Sequence, residues 1–392
     1  MKIKKIKIGL LSKVVIAIAL GIGCSYIPFL PTAFVRISTT FNSLFSNFLD
    51  FSIPLIILGL VAPGIAELGK GGGRLLGITV LIAYGSTICA GYFSYFTCDA
   101  IYPSLIDAGS GFEVIAKVDD SIYTPFFTIA MPPVISVMSA LITSFLLGLG
   151  LSAVKGNYTK NMLIEFKEVI MKVITNVIIP LLPIYIFGLF LKMGVVGQVS
   201  TILTLFAKII VVIFVMHIVL LLVQFIIAGI VAKKNPFVML RNMMPAYFTA
   251  LGTQSSAATI PITLEQSIKN GVDEELAGFV VPLCATIHLS GSILKIVACT
   301  VALMMLTGMP IEFGAMTGFI FALGVAMVAA PGVPGGAIMA AIGLLSSMLG
   351  FDEALIGMMI SLYITMDSFG TAGNVTGDGA IAVIVNKING RK

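Results

Sequence analysis

Apolar runs long enough to cross a lipid bilayer follow one another along almost the whole chain, and no other feature limits the fold so severely. Spanning the hydrocarbon core takes about 20 mainly apolar residues wound as a helix. Such runs extend from Ile8 to about Leu30, broken only by Lys13, and from about Phe41 to Leu68, Leu75 to Thr97, Ile202 to Val231, Gly278 to Leu306 and Ile356 to Val385. With 58% hydrophobic and 10% charged residues and a mean hydropathy of +1.10, the chain lies far outside the range of soluble domains. Its 392 residues have room for about eight to ten spans with short connections. One integral membrane unit without a sizeable extramembrane domain is expected.

Charge reports orientation here, not a nucleic-acid surface. Lys2, Lys4, Lys5 and Lys7 precede the first run, which is longer than a signal-peptide core and has no convincing cleavage site, so it reads as a first span with a cytoplasmic N-terminus. A basic glycine-rich loop (Lys70, Gly71, Gly72, Gly73, Arg74) follows the second span. The third is followed by an acidic connection with Asp99, Asp107, Glu113, Asp119 and Asp120 against Lys117, as expected outside the cell. A proline-rich stretch, Thr124 to Pro133, opens a fourth region to Val154, with Lys155 and Lys160 after it. The fifth span starts after Glu165, Lys167 and Glu168 and runs to about Met193, and Lys233, Lys234 and Arg241 follow the sixth. Basic loops thus follow spans two, four and six. The five cysteines stand at no metal-ligand spacing and read as small packing residues.

Two later segments do not read as ordinary spans. Between Pro245 and Glu265, the run Ala250 to Pro261 sets small and hydroxyl-bearing residues between two short apolar arms. The same shape recurs between Ile311 and Leu349, where Ala329-Ala330-Pro331-Gly332-Val333-Pro334-Gly335-Gly336 interrupts two arms. Proline removes backbone donors and glycine admits unusual dihedrals, so neither centre should remain a continuous helix. Broken backbone at membrane depth is tolerated where it is buried in protein or lines a water-filled cavity. Each segment therefore reads as a re-entrant hairpin, and a pair of them is a pointer to a transport site. The plainer reading is a close-packing face of small residues on an ordinary helix.

The last apolar run, Ile356 to Val385, carries Asp367, Asn374 and Asp378. At about 100° per residue, steps of 7 and 11 residues return to within roughly 20° of the start, so the three share a face. Carboxylates at membrane depth need a bound cation, a substrate ammonium or a proton, unless a helix end places them in headgroup water. The seventh span holds His288, Ser292 and Lys295 at i, i+4 and i+7, one stripe of a helix, where a lysine must snorkel, pair or meet an anion. His217, alone in the sixth span, reads as a packing residue with a satisfied nitrogen.

From Thr253 to Asn386 the chain resembles the dicarboxylate/amino acid:cation symporters, the glutamate-transporter family. The likeness lies in Gln254-Ser255-Ser256-Ala257-Ala258-Thr259-Ile260-Pro261, in Gly332-Val333-Pro334-Gly335 and in Asn374-Val375-Thr376-Gly377-Asp378. Ala285-Thr286-Ile287-His288-Leu289-Ser290-Gly291 looks like an altered form of that family's Asn-Met-Asp-Gly motif, and Tyr84 and Thr87 fit its third span. The resemblance implies an all-α membrane protein of eight transmembrane helices plus two re-entrant helical hairpins, an elevator-type transporter assembled as a homotrimer. It divides the chain into scaffold helices 1 and 2 (residues 1–68), transport-domain helix 3 (69–98), an external loop with scaffold helices 4 and 5 (99–197) and a transport core (198–392). Both termini are then cytoplasmic, with Lys387, Arg391 and Lys392 at the C-terminal end.

The same resemblance implies that Ser255, Ser256 and Asn374 hold a substrate carboxylate and Asp367 an amino group; Ser292, Thr371 and, at the outer tip, Gly332 and Val333 are counted among the substrate-binding residues. Hydroxyls and amides satisfy a carboxylate, and a buried carboxylate suits an ammonium. Asp378 and the carbonyls of Asn374 and Cys284 form one implied cation site, with His288 beside it; backbone oxygens of Thr286, Val328 and Ala330 form a second. There are departures. Gly370 and Gln254 stand where members of that family carry an arginine, and Lys295 either supplies the missing charge or pairs with Asp367. Ser290 stands in place of an aspartate of a further sodium site and His288 in place of an asparagine, which opens proton coupling as an alternative.

No Gly-x-Ser-x-Gly elbow or His-x-x-x-Asp pairing supports an intramembrane hydrolase, so no enzyme is expected. A passive channel shares the polar lining, and is told apart by whether flux saturates and runs uphill. The expectation is a secondary active symporter in the cell membrane, without a resident cofactor, that couples a small amino acid or dicarboxylate to a monovalent cation, sodium before proton.

Overall fold

The computed structural model describes residues 9–68, 73–107, 109, 123–154, 156–197, 199–328, 330, 332 and 334–390. Outside the described residues lie Lys2 to Lys7, Lys70 to Gly72, Glu113, Lys117, Asp119, Asp120, Lys155, Ala329, Pro331, the tip residue Val333, Arg391 and Lys392.

Every regular element among the described residues is a helix. The first half gives α1 (Leu10–Ser25), α2 (Thr32–Leu68), α3 (Gly73–Ile101), α4 (Val137–Ala153), α5 (Tyr158–Val195) and α6 (Val199–Ala232). A π turn, Ile174–Ile178, lies inside α5 where Pro180 and Pro183 approach. The proline-rich residues 123–136 carry no helix, as pyrrolidine rings at Pro125, Pro132 and Pro133 dictate.

Helices in the second half come in broken pairs. α7 (Pro236–Thr253) and α8 (Ser256–Lys269) meet at Gln254, which takes the left-handed conformation (φ 54°, ψ 27°) as the cap of α7. α9 (Glu274–Ile287) and α10 (Ser290–Thr307) are separated by His288 and Leu289, whose dihedrals (−105°, 92° and −115°, 46°) leave the helical region. α11 (Phe313–Val328) and α12 (Gly336–Leu349) flank the second proline-glycine stretch. α13 (Glu353–Thr365) and α14 (Asp367–Ile388) form one apolar run bent by 60° at Met366.

Two of these breaks fall where the sequence pattern reads as continuous helix. The seventh span parts at His288, so His288 does not belong to the helical stripe of Ser292 and Lys295. The last span parts at Met366; Asp367, Asn374 and Asp378 still share one helix, because all three lie within α14. Among the described residues, five helices are long and apolar enough to cross a membrane, or up to six with the bent pair. The α9–α10 pair counts among the five, whereas α1 and α4 have 16 and 17 residues.

Packing sorts the helices. α2 runs along α4, and α1 along α5. α3 runs along α10, and α14 is surrounded by α6, α7, α8, α9 and α10. The two groups touch where α12 meets α2 and α13 meets α1 and α5. At that seam the Tyr185 hydroxyl donates to the Glu353 carbonyl (3.2 Å). Gly335 lies beside Leu10, at the start of α1.

Candidate functional site

The four breaks converge on α14. Ser255 caps α8: its Oγ accepts from the Ala258 N–H (3.3 Å) and donates to the Gly332 carbonyl (3.2 Å), so the two interrupted segments touch tip to tip. Ser256 is buried in the first turn of α8.

Asp367 is engaged on both oxygens. Its Oδ2 accepts the Gly335 N–H (2.7 Å) at the start of α12, where a carboxylate meets the positive end of a helix. Gly335 has φ +76°, a conformation that glycine alone adopts without strain. The Asp367 Oδ1 lies 3.3 Å from Lys295 Nζ, which also donates to the Met366 carbonyl (3.3 Å) and sits 3.4 Å above the centre of the Tyr363 ring. Lys295 is wholly buried. Of the two roles open to it in the sequence, the structure has it pairing with Asp367, so a substrate ammonium would meet a carboxylate already in use. The ammonium also fills the space over Gly370, where a Cβ would stand 2.9 Å from Nζ. The Thr371 hydroxyl turns back onto the Asp367 carbonyl (3.0 Å).

Asn374 seals the break between α9 and α10. Its Oδ1 accepts from the N–H groups of Gly291 (2.8 Å) and Ser292 (3.2 Å), and its Nδ2 donates to Ser292 Oγ (3.0 Å). Both lone pairs of the amide oxygen are used, which leaves one amide N–H to offer a ligand. Tyr363 donates to the same Ser292 hydroxyl (3.4 Å). From α6, His217 Nε2 donates to the Gly291 carbonyl (2.9 Å), so the expected satisfied nitrogen sits at the break itself.

Asp378 lies about one turn beyond Asn374 on α14, about three beyond Asp367, and is 1% exposed. His288 Nδ1 donates to its Oδ1 (2.9 Å), while Oδ2 is buried without a hydrogen-bond partner among the described residues. The Cys284 carbonyl accepts the His288 N–H (2.8 Å), which closes the last turn of α9 over the same spot. The Thr286 side chain is exposed and bonds to its own helix at Leu283. Val328 packs on the cluster that holds Cys284 and Ile287, and the buried Ala330 donates to the Met327 carbonyl (3.2 Å). Thus the structure gathers Asp367, Lys295 and Gly335 in one group, Asn374 and Ser292 in a second, and Asp378 with His288 in a third, all along one face of α14.

Three participants escape the sequence pattern: Tyr363, Ser86 and Gln224. Ser86 bonds to His288 Nε2 (3.0 Å), and Gln224 Nε2 donates to Ser86 Oγ (3.2 Å) and Ser290 Oγ (3.0 Å). A usable signal exists for Gln224. It lies seven residues after His217 in an otherwise apolar helix, so the two share a face.

A multi-pass helical membrane protein whose broken helices meet at buried ionisable groups has the construction of a secondary transporter. Comparison with known proteins agrees. The model of the sodium:dicarboxylate symporter family matches residues 10–388, and the chain belongs to that family. It is 25% identical to the serine/threonine transporter SstT of Acinetobacter baylyi, over 97% of this chain and 98% of that protein. An excitatory amino acid transporter of Caenorhabditis elegans is 31% identical over 40% of this chain and 31% of its own length. Excitatory amino acid transporter 1 of Rattus norvegicus is 30% identical over 52% of this chain and 37% of its own. The family and these relatives are transporters, not enzymes.

Proposed function

We propose that this chain is a secondary active symporter that moves a small amino acid or dicarboxylate across the cell membrane on a cation gradient, with sodium as the cation. The observation that carries this reading is the buried Asp378, one oxygen held by His288 and the other without a partner among the described residues, where α14 crosses the break between α9 and α10. A carboxylate at membrane depth calls for a cation. Oxygen donors, from Asp378 and from the carbonyls of Cys284 and Asn374, suit a hard one. A second cation would sit among the backbone oxygens of Thr286, Val328 and Ala330.

The solute's carboxylate meets Ser255, Ser256 and the free amide N–H of Asn374 under the joined tips. Relatives named for serine, threonine and excitatory amino acids support an amino acid or a carboxylate as the solute. Eight spans are reached when the apolar helices α1 and α4 are added to the six that include the bent pair α13–α14. The segregation of α1, α2, α4 and α5 from the remaining helices supports a fixed scaffold and a transport core that moves as an elevator. A homotrimer with both termini cytoplasmic belongs to the same reading.

A proton in place of sodium is the second reading, favoured by the hydrogen bond from His288 to Asp378. The deciding experiment is uptake of labelled serine, aspartate and succinate into proteoliposomes under an inward sodium gradient and, separately, a proton gradient. Saturable, sodium-driven concentration of one solute supports the reading. Uptake driven by protons alone, lost in His288→Asn, replaces sodium with the proton. A non-saturating leak means a channel.

A further inference from the structure

We infer that Gln224 is a positioning residue for the coupled cation: through Ser86 and His288 it sets which oxygen of Asp378 is left to bind that ion. The inference rests on the symporter reading above and concerns a part of the chain that reading does not use.

The network joins four elements. Gln224 lies in α6 and is 7% exposed, Ser86 lies in α3, His288 and Ser290 border the break between α9 and α10, and Asp378 lies in α14. An ionised carboxylate only accepts, so His288 Nδ1 carries the hydrogen that reaches Asp378 Oδ1 (2.9 Å). The two N–H groups of the Gln224 amide go to Ser86 (3.2 Å) and Ser290 (3.0 Å). Ser86, which accepts from Gln224, has its own hydrogen to give, and His288 Nε2 takes it (3.0 Å). Donation therefore runs in one direction, from Gln224 to Ser86 to His288 to Asp378. It fixes both the tautomer and the plane of the ring, the same service that outer hydrogen-bond partners give to metal-binding histidines and carboxylates.

Gly377 lets the network close. A Cβ there would stand 2.8 Å from Gln224 Oε1 and 2.8 Å from His288 Cε1, so bare backbone next to Asp378 is what admits amide and imidazole together. Ser86 and Gln224 also line a cavity of about 310 Å³ between α3, α6 and α14, whose other walls include Val223, Ile227 and Ile381. Leucine at position 224 therefore fits without crowding, and it removes the two donors together with an amide oxygen that has no partner among the described residues.

The test uses the full chain, purified in detergent and in proteoliposomes. Two quantities are read against sodium concentration: the sodium-dependent rise in unfolding temperature, and the half-saturating sodium and Vmax of solute uptake. Gln224→Leu and Ser86→Ala are each expected to raise the half-saturating sodium about tenfold, with a smaller fall in Vmax. Because both act on one chain of bonds, the double variant should be no worse than the more affected single variant. Val223→Ala, in the same cavity but outside the network, should leave half-saturation unchanged. An unchanged half-saturation in Gln224→Leu, a loss confined to Vmax, or additive effects in the double variant would overturn the inference while the symporter stands. Wild-type protein driven by protons alone also overturns it, since Asp378 Oδ2 then has no sodium to receive. If no cation gradient drives the wild type, the symporter reading itself falls, and the inference with it.

Discussion

Lys295 and Asp367 form an ion pair between α10 and α14, with Nζ 3.3 Å from Oδ1 and the ammonium capped by the face of Tyr363. The pair makes this part of the pocket neutral before any solute arrives. Under the proposed function, a zwitterion or a diacid bound here has to share the pair or part it.

Lys295→Met leaves Asp367 buried without a countercharge. Removing one partner of a buried pair costs about 3 to 5 kcal/mol, whereas replacing both partners is often nearly neutral. Thermal unfolding in detergent should show a large loss for Lys295→Met and substantial recovery in Lys295→Met/Asp367→Asn. In transport, the single variant should lose a diacid such as succinate and keep serine, because Asp367 is freed for an ammonium. Equal loss of both solutes contradicts that role.

Asn374→Leu strands the N–H groups of Gly291 and Ser292, first-turn donors with no acceptor in their own helix. Each buried donor left without a partner costs about 1 to 3 kcal/mol. Uptake should be abolished and the unfolding temperature lowered. A stable variant with normal uptake would mean that the break does not depend on this amide.

Gly335→Ala forces a Cβ into the left-handed region at the cap of α12, at a cost of about 1 to 2 kcal/mol. The N–H that reaches Asp367 moves with it. Reduced stability together with a raised KM for the solute is expected; a change in neither is the contrary result.

The Ser255 hydroxyl reaches Gly332 across the two tips. Cysteines at both positions should be joined by an oxidant or a short bifunctional reagent, and the joined protein should not transport until reduced, as judged by uptake before and after reductant. Transport that survives cross-linking would show that the tips need not part.

The membrane class and the two proline-glycine interruptions were open to a reader of the sequence, because each is a local property of consecutive residues. Apolar length demands a span, and Pro331, Gly332, Pro334 and Gly335 cannot continue a helix. The breaks at His288 and Met366 were not legible, since neither carries a helix breaker. They persist because distant groups satisfy them: Asn374 takes the amides after the first, and Lys295 donates to the carbonyl at the second. Lys295 itself stood out as costly, yet spacing left its partner open. Ser86 was harder still, for a neutral polar residue in an apolar helix announces little until its neighbours are known, and Gln224 offered only its spacing from His217.

The seal between Gly291 and Asn374 spans 83 residues of chain, and it sets an order of events during synthesis. α9 and α10 leave the ribosome well before α14, so the first-turn amides of α10 wait, in the translocation machinery or in water, for a side chain that has not yet been made. Until the last helix enters, this part of the protein has no stable resting place in lipid. A nascent chain cut short before Asn374 should therefore be taken by quality control, however many of its spans have already been inserted.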